Sequence, residues 1–155
     1  MINTKSVTGR RKLRFEQLAD IERDAEQLAA GDIVCLGNWS AGQVFSHCAQ
    51  TINSFLDGHD FGKVSILGRL LGWFIKGRVL NGTIPAGYKL PDPILEPPKQ
   101  VSVADALAGL KSSLARWRTA TLPPSHPFFG KMSREDWDKL QLRHCELHFS
   151  FLTPK

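Results

Sequence analysis

A chain of 155 residues with 42% hydrophobic content can bury one core and is short for two, so one domain over residues 1–155 is expected. The formal charge is +5, yet Lys5, Arg10, Arg11, Lys12 and Arg14 supply that whole surplus before the first acid, Glu16, which excludes a basic nucleic-acid face on the folded body. With no secretory pattern, no run reaching the roughly 18 apolar residues of a membrane span, and three cysteines without C-x-x-C spacing, the chain reads as a cytoplasmic protein with reduced thiols.

Residues 1–14 form a basic leader expected to dock through Leu13 and Phe15. A first helix spans about residues 16–30, where Leu18, Ile21, Ala25 and Leu28 recur at three-and-four spacing before Gly31. The second begins after Ser40, with Gln43 completing a capping box, and turns Val44, His47, Thr51 and Phe55 inward. Residues 58–100 are too long for a simple bundle connection. In their first half, Ile66, Leu67, Leu70, Leu71, Phe74 and Ile75, interspersed with Arg69 and Lys76, read as a short amphipathic helix. Its apolar face is expected to pack on the bundle, a dimer contact or a membrane surface being the other uses of such a face. Pro85, Pro91, Pro93, Pro97 and Pro98 make the second half an extended loop. A third helix covers about residues 102–119, with Val103, Leu107, Leu110, Leu114 and Trp117 on one stripe, and stops before Pro123 and Pro124. The fourth starts at Ser133, has Asp136 at the capping-box position, and carries Trp137, Leu140, His144, Leu147 and Phe151 on one seam. The expected fold class is all-α, a four-helix bundle with a long crossover insertion between the second and third helices.

The histidines carry the chemistry. His144 and His148, four positions apart, differ by about 40° around a helix and about 6 Å along it, so both leave from one face. His47, inward on the second helix, is the natural third ligand. Three neutral imidazoles suit zinc, nickel, copper or iron and leave coordination positions open, as catalytic sites do. Spacing alone equally admits three partly buried, hydrogen-bonded core histidines. The metalloprotease pattern H-E-x-x-H is excluded, because Cys145 stands where the glutamate would be and Glu146 points about 200° away from His144.

Neighbouring residues have two readings each. Gln43, one turn before His47, can orient a ligand or close the helix cap, the cap being the simpler use. Trp39 anchors the start of the second helix. His126, ahead of a proline, suits a structural hydrogen bond better than ligation, while Phe128 and Phe129 line a pocket near the site or pack the end of the bundle. Arg143 reaches a ligand or lies in solvent. Cys48 and Cys145 each follow a histidine and could be redox-active or bind metal, though at one residue's offset small packing residues are the simpler reading.

Trp39-Ser40 followed by Gln43 and His47, then Arg143-His144-Cys145-Glu146-Leu147-His148, resembles the DinB-like superfamily of four-helix bundles. One branch of that superfamily, a domain of unknown function, is similar to nearly the whole chain, through Arg10-Arg11-Lys12-Leu13-Arg14-Phe15, Leu36-Gly37-Asn38-Trp39-Ser40 and His126-Pro127-Phe128-Phe129-Gly130. The resemblance implies a bundle binding one divalent metal ion, zinc or nickel first among candidates, through His47, His144 and His148. It also implies the activities of relatives, which include thiol-dependent S-transfer and hydrolysis. The expected function is therefore metal-assisted activation of a thiol or water against a small electrophilic substrate. The competing expectation is a non-catalytic binding or stress-interaction protein that the metal stabilises. A small-molecule substrate and a second copy of the chain are the expected partners, with nucleic acid and membrane set aside.

Overall fold

The computed structural model describes residues 2–58, 64–87 and 99–155. Among them are a single 3-10 turn at Thr4–Ser6 and five α-helices, α1 (Leu18–Ala29), α2 (Ala41–Leu56), α3 (Ile66–Asn81), α4 (Val103–Thr119) and α5 (Arg134–Phe149). Four short strands, β1 (Ile33–Cys35), β2 (Ser125–His126), β3 (Gly130–Lys131) and β4 (Leu152–Pro154), pair antiparallel as β1 with β4 and β2 with β3.

Serine starts every helix after the first. The hydroxyls of Ser40, Ser65, Ser102 and Ser133 accept from the backbone N–H of Gln43, Gly68, Asp105 and Asp136 at 3.1–3.3 Å, each satisfying a donor the helix cannot use and contributing about 1 kcal/mol. In α2 and α5 the cap is reciprocal, with Ser40 N–H donating to Gln43 Oε1 at 2.9 Å and Ser133 N–H to Asp136 Oδ2 at 3.2 Å.

The helices bury their apolar stripes against one another. α4 lies on α1 and α2, and α5 packs against the same two, so the four enclose a core that includes Ile21, Ile52, Leu110, Leu114 and Phe149. Trp117 and Trp137 are also buried there, and neither indole N–H is stranded. They donate to Asp138 Oδ1 at 2.7 Å and to Pro123 O at 2.8 Å.

Phe15 is buried, and several basic residues of the N-terminal segment are engaged with the body of the protein. Arg11 makes a two-pronged bond to Asp24 at 2.8 and 2.7 Å, Arg10 reaches Ser150 Oγ and lies 4.1 Å over the Phe151 ring, and Arg14 donates to the Asn81 and Gly82 carbonyls that end α3.

Two expectations are corrected. The β-hairpin insertion lies between α4 and α5, not between the second and third bundle helices, because Pro123 and Pro124 end α4 and Gly130, at φ +70°, permits the tight return of β2 to β3. The helix at residues 66–81 is real, and Ile75, Val79 and Leu80 pack on the core, but most of the expected apolar face does not. It meets α5 and β3 through its thin side, where a Cβ placed on Gly72 would come within 1.9 Å of Phe128 O, while Ile66, Leu67, Leu70, Leu71, Trp73 and Phe74 face outward. Pro91, Pro93, Pro97 and Pro98 of the expected loop fall outside the described residues. No helix among the described residues is long and apolar enough to cross a membrane.

Candidate metal centre

α2 and α5 run antiparallel, with Trp39 at the start of α2 against His148 near the end of α5, and Phe55 at the end of α2 against Trp137 near the start of α5. His47 therefore meets His144 and His148 across the interface. One ligand-capable atom of each histidine lies within 4.8 Å of the others, so a three-histidine cluster able to hold a metal ion is present.

The geometry is compatible with a site able to hold a metal ion. His47 Nε2 and His144 Nε2 are 3.2 Å apart. With metal–nitrogen bonds of about 2.0–2.1 Å, that separation corresponds to an N–metal–N angle of about 100°, near tetrahedral. A shared proton would explain the same distance, but only for that pair. The three ring centroids are 5.1, 4.5 and 4.6 Å apart, a nearly equilateral triangle. Three imidazoles bound to one ion at that angle would place their centroids roughly 4.9 Å apart, so the third ring belongs to the same arrangement. Nδ1 of His47 and of His144 is buried without a hydrogen-bond partner among the described residues, as expected if Nε2 is the interacting end of each ring. The donor set fits a divalent ion.

His47 is 1% exposed, whereas His144 and His148 are partly open to solvent. His47 is thus the most enclosed of the three. Burial pushes the His47 imidazole down to about 4, and burial together with the charge of His47 pushes His144 down to about 3. His148 is lowered by burial and by the charges of His144, His47 and Arg10. All three are neutral at neutral pH, the form that ligates metal.

The flanking residues divide. Trp39 stacks on His148 with 5.4 Å between centroids and 10° between planes, and its centroid is 4.8 Å from that of His47, so it walls the cluster as well as starting the helix. Gln43 commits its Oε1 to the cap. Arg143 turns the other way. It is 2% exposed, donates to Phe15 O and pairs with Glu146 at 2.9 Å, so it neither lies in solvent nor joins the histidines. His126 Nδ1 accepts from the N–H groups of Phe128 and Phe129 at 3.0 and 3.2 Å, and its ring packs on Phe55 and Trp137. Since Phe55 is two turns beyond His47, roughly 12 Å along the helix, His126 and half-buried Phe128 serve the hairpin end of the bundle.

Two further features adjoin the histidines, the cysteine cluster weighed from the sequence only as an alternative and the glutamine not singled out at all. Cys48, Cys145 and a nitrogen of His144 form a second donor cluster within 4.8 Å, its thiols fully buried and that of Cys48 pushed well up by burial and by Cys145. Gln141, one turn before His144, is also fully buried, and its amide has no hydrogen-bond partner among the described residues. Only its place on the histidine stripe could have signalled it.

A family model described as "Protein of unknown function (DUF1569)" matches residues 7–155. Neither a curated protein nor a solved structure matches the chain.

Proposed function

The chain belongs to the DUF1569 family, within the DinB-like superfamily, and from that membership we propose that it is a single-domain, divalent-metal-dependent enzyme, an S-transferase or hydrolase acting on a small electrophilic substrate. His47, His144 and His148 hold the ion, zinc or nickel. The observation that carries this reading is the triangle of imidazole rings, 4.5–5.1 Å apart, with His144 and His148 half-buried. When bound, the ion supplies Lewis-acid activation, lowering the pKa of the thiol or water brought to it.

The protein's own residues do the rest. Buried His47 fixes one corner of the triangle, and Trp39 locks the plane of His148 by stacking. Gln141 offers a spare donor and acceptor on the same face of α5, suited to holding an imidazole N–H or a polar atom of the substrate. Glu146 is occupied by Arg143 and by Phe15 N–H, so the proton of the nucleophile is not assigned to it.

The test is turnover by zinc- and nickel-loaded protein, first with low-molecular-weight thiols and electrophilic acceptors, then with esters and amides in water. Metal-dependent turnover that disappears in His47→Ala supports the proposal. A second reading, a metal-stabilised binding protein without catalysis, is favoured by the surface cavities. One of about 580 Å³ is lined by Trp73, Lys76 and Lys131, and one of about 370 Å³ by Gln50, Asn53 and Asp57, and neither is lined by the histidines. Fully loaded protein that turns over neither substrate class would leave that second reading ahead.

A further inference from the structure

We infer that α3 is a membrane-surface helix that docks the protein on anionic phospholipid, its axis in the plane of the interface and its outer face in the headgroup–acyl boundary. At about 100° per residue, Trp73, Ile66, Leu70, Phe74, Leu67 and Leu71 follow one another around the helix within an arc of about 160°. All six are exposed, Ile66 by 81%, Leu67 by 77% and Phe74 by 74%. This is one continuous apolar surface, not a scatter of single residues, and surfaces of that kind mark interaction sites. The inward side carries Gly68 and Gly72 beside Phe128, with Ile75, Val79 and Leu80 packed on the core, so the helix is anchored on one side while the six exposed side chains face outward.

Charge selects the occupant. Residues 64–87 contain Arg69, Lys76 and Arg78 and no aspartate or glutamate. Arg78 falls within the apolar arc near its C-terminal end, and Arg69 lies just beyond the arc. Aromatic and aliphatic residues facing the bilayer with arginine and lysine around them are the composition of interfacial helices on anionic lipid. The cavity of about 580 Å³ opens beside Trp73 and is lined by Lys76, Lys131, Ser133 and Asp136. Lys76 neutralises Asp136 at 2.7 Å, which leaves Lys131 as the cation facing a headgroup phosphate. A second copy of α3 packed parallel on the same face would instead set Arg78 of one helix against Arg78 of the other.

The test uses the full chain with vesicles of phosphatidylcholine alone and of phosphatidylcholine mixed with phosphatidylglycerol. Co-sedimentation is expected with the anionic vesicles, weakening as salt is raised. Tryptophan emission is expected to shift blue on binding, and Trp73→Phe to abolish most of that shift, since Trp117 and Trp137 are already buried and half-buried Trp39 is stacked on His148, away from α3. Phe74→Glu, at an exposed position, is expected to lower partitioning by more than about tenfold with an unchanged circular dichroism spectrum. Absence of binding to anionic vesicles at low ionic strength overturns the inference. So does a stable dimer that Phe74→Glu converts to monomer, an outcome that would assign the face to a second copy. His47→Ala binds vesicles as the parent does, which separates this result from that of the metal site.

Discussion

Two glycines in α3 should respond to the same substitution with opposite signs. Gly77→Ala places a methyl group where nothing lies within 4 Å, so the helix gains only the intrinsic advantage of alanine over glycine, about 1 kcal/mol. Gly72→Ala gains the same advantage and loses far more. Its Cβ would stand 1.9 Å from Phe128 O and 2.7 Å from Phe128 C, and these backbone atoms cannot swing aside as a side-chain tip would. Overpacking costs up to about 3 kcal/mol, so the net change is about 2 kcal/mol of destabilisation. At about 2–4 °C per kcal/mol for a chain of this size, Gly77→Ala should raise the melting temperature by a few degrees and Gly72→Ala lower it by roughly twice as much. If the strain is relieved by lifting α3 off the hairpin, amide exchange over residues 66–81 should accelerate in Gly72→Ala while α2 and α5 stay protected. A Gly72→Ala protein as stable as Gly77→Ala, with unchanged exchange in α3, would refute the close approach of helix and hairpin.

The buried pair of Arg143 and Glu146 gives a second expectation. Glu146→Gln leaves a guanidinium only 2% exposed without its counter-charge and should cost about 3–5 kcal/mol in denaturant unfolding; a loss under about 1 kcal/mol would mean that burial, which raises the Glu146 pKa, already keeps that carboxyl protonated. The third concerns acid. Burial holds the His126 pKa down at about 4 against 6.5 in an unfolded chain, so between those values the unfolded chain binds the extra proton. Stability from this residue is complete above about pH 6.5 and is lost as pH falls toward 4, with a slope of at most about 1.4 kcal/mol per pH unit. Titration of the His126 ring by NMR should show its inflection well below 6; an inflection near 6.5 would contradict the burial.

The sequence made the bundle legible wherever one residue type had one use. Ser40 with Gln43 and Ser133 with Asp136 announced two helix starts, and the stripes through Ile21, Leu110 and Trp137 identified faces that are buried. The histidine cluster was legible for the same reason, since a four-residue spacing on one helix fixes a direction that only a facing helix can complete. Orientation was not legible where a helix offers two packable sides. In α3 the period of the apolar residues was plain, but whether they or the glycines touch the bundle depends on how closely Phe128 approaches, a tertiary fact. Arg143 posed a similar ambiguity. Next to His144 in sequence, it is rotated about 100° from it and is claimed by Glu146 and Phe15. The strands β1 and β4 pair residues more than a hundred positions apart, beyond the reach of local pattern.

The most direct test of the central claim is the metal content of untagged protein purified without chelator, measured by elemental analysis beside His47→Ala, His144→Ala and His126→Ala. About one divalent ion per chain is expected in the parent and in His126→Ala, and little in either of the other variants. Stoichiometric metal retained by both His47→Ala and His144→Ala, or a parent protein that takes up no ion when zinc and nickel are supplied, would contradict the assignment of the three imidazoles as a metal centre.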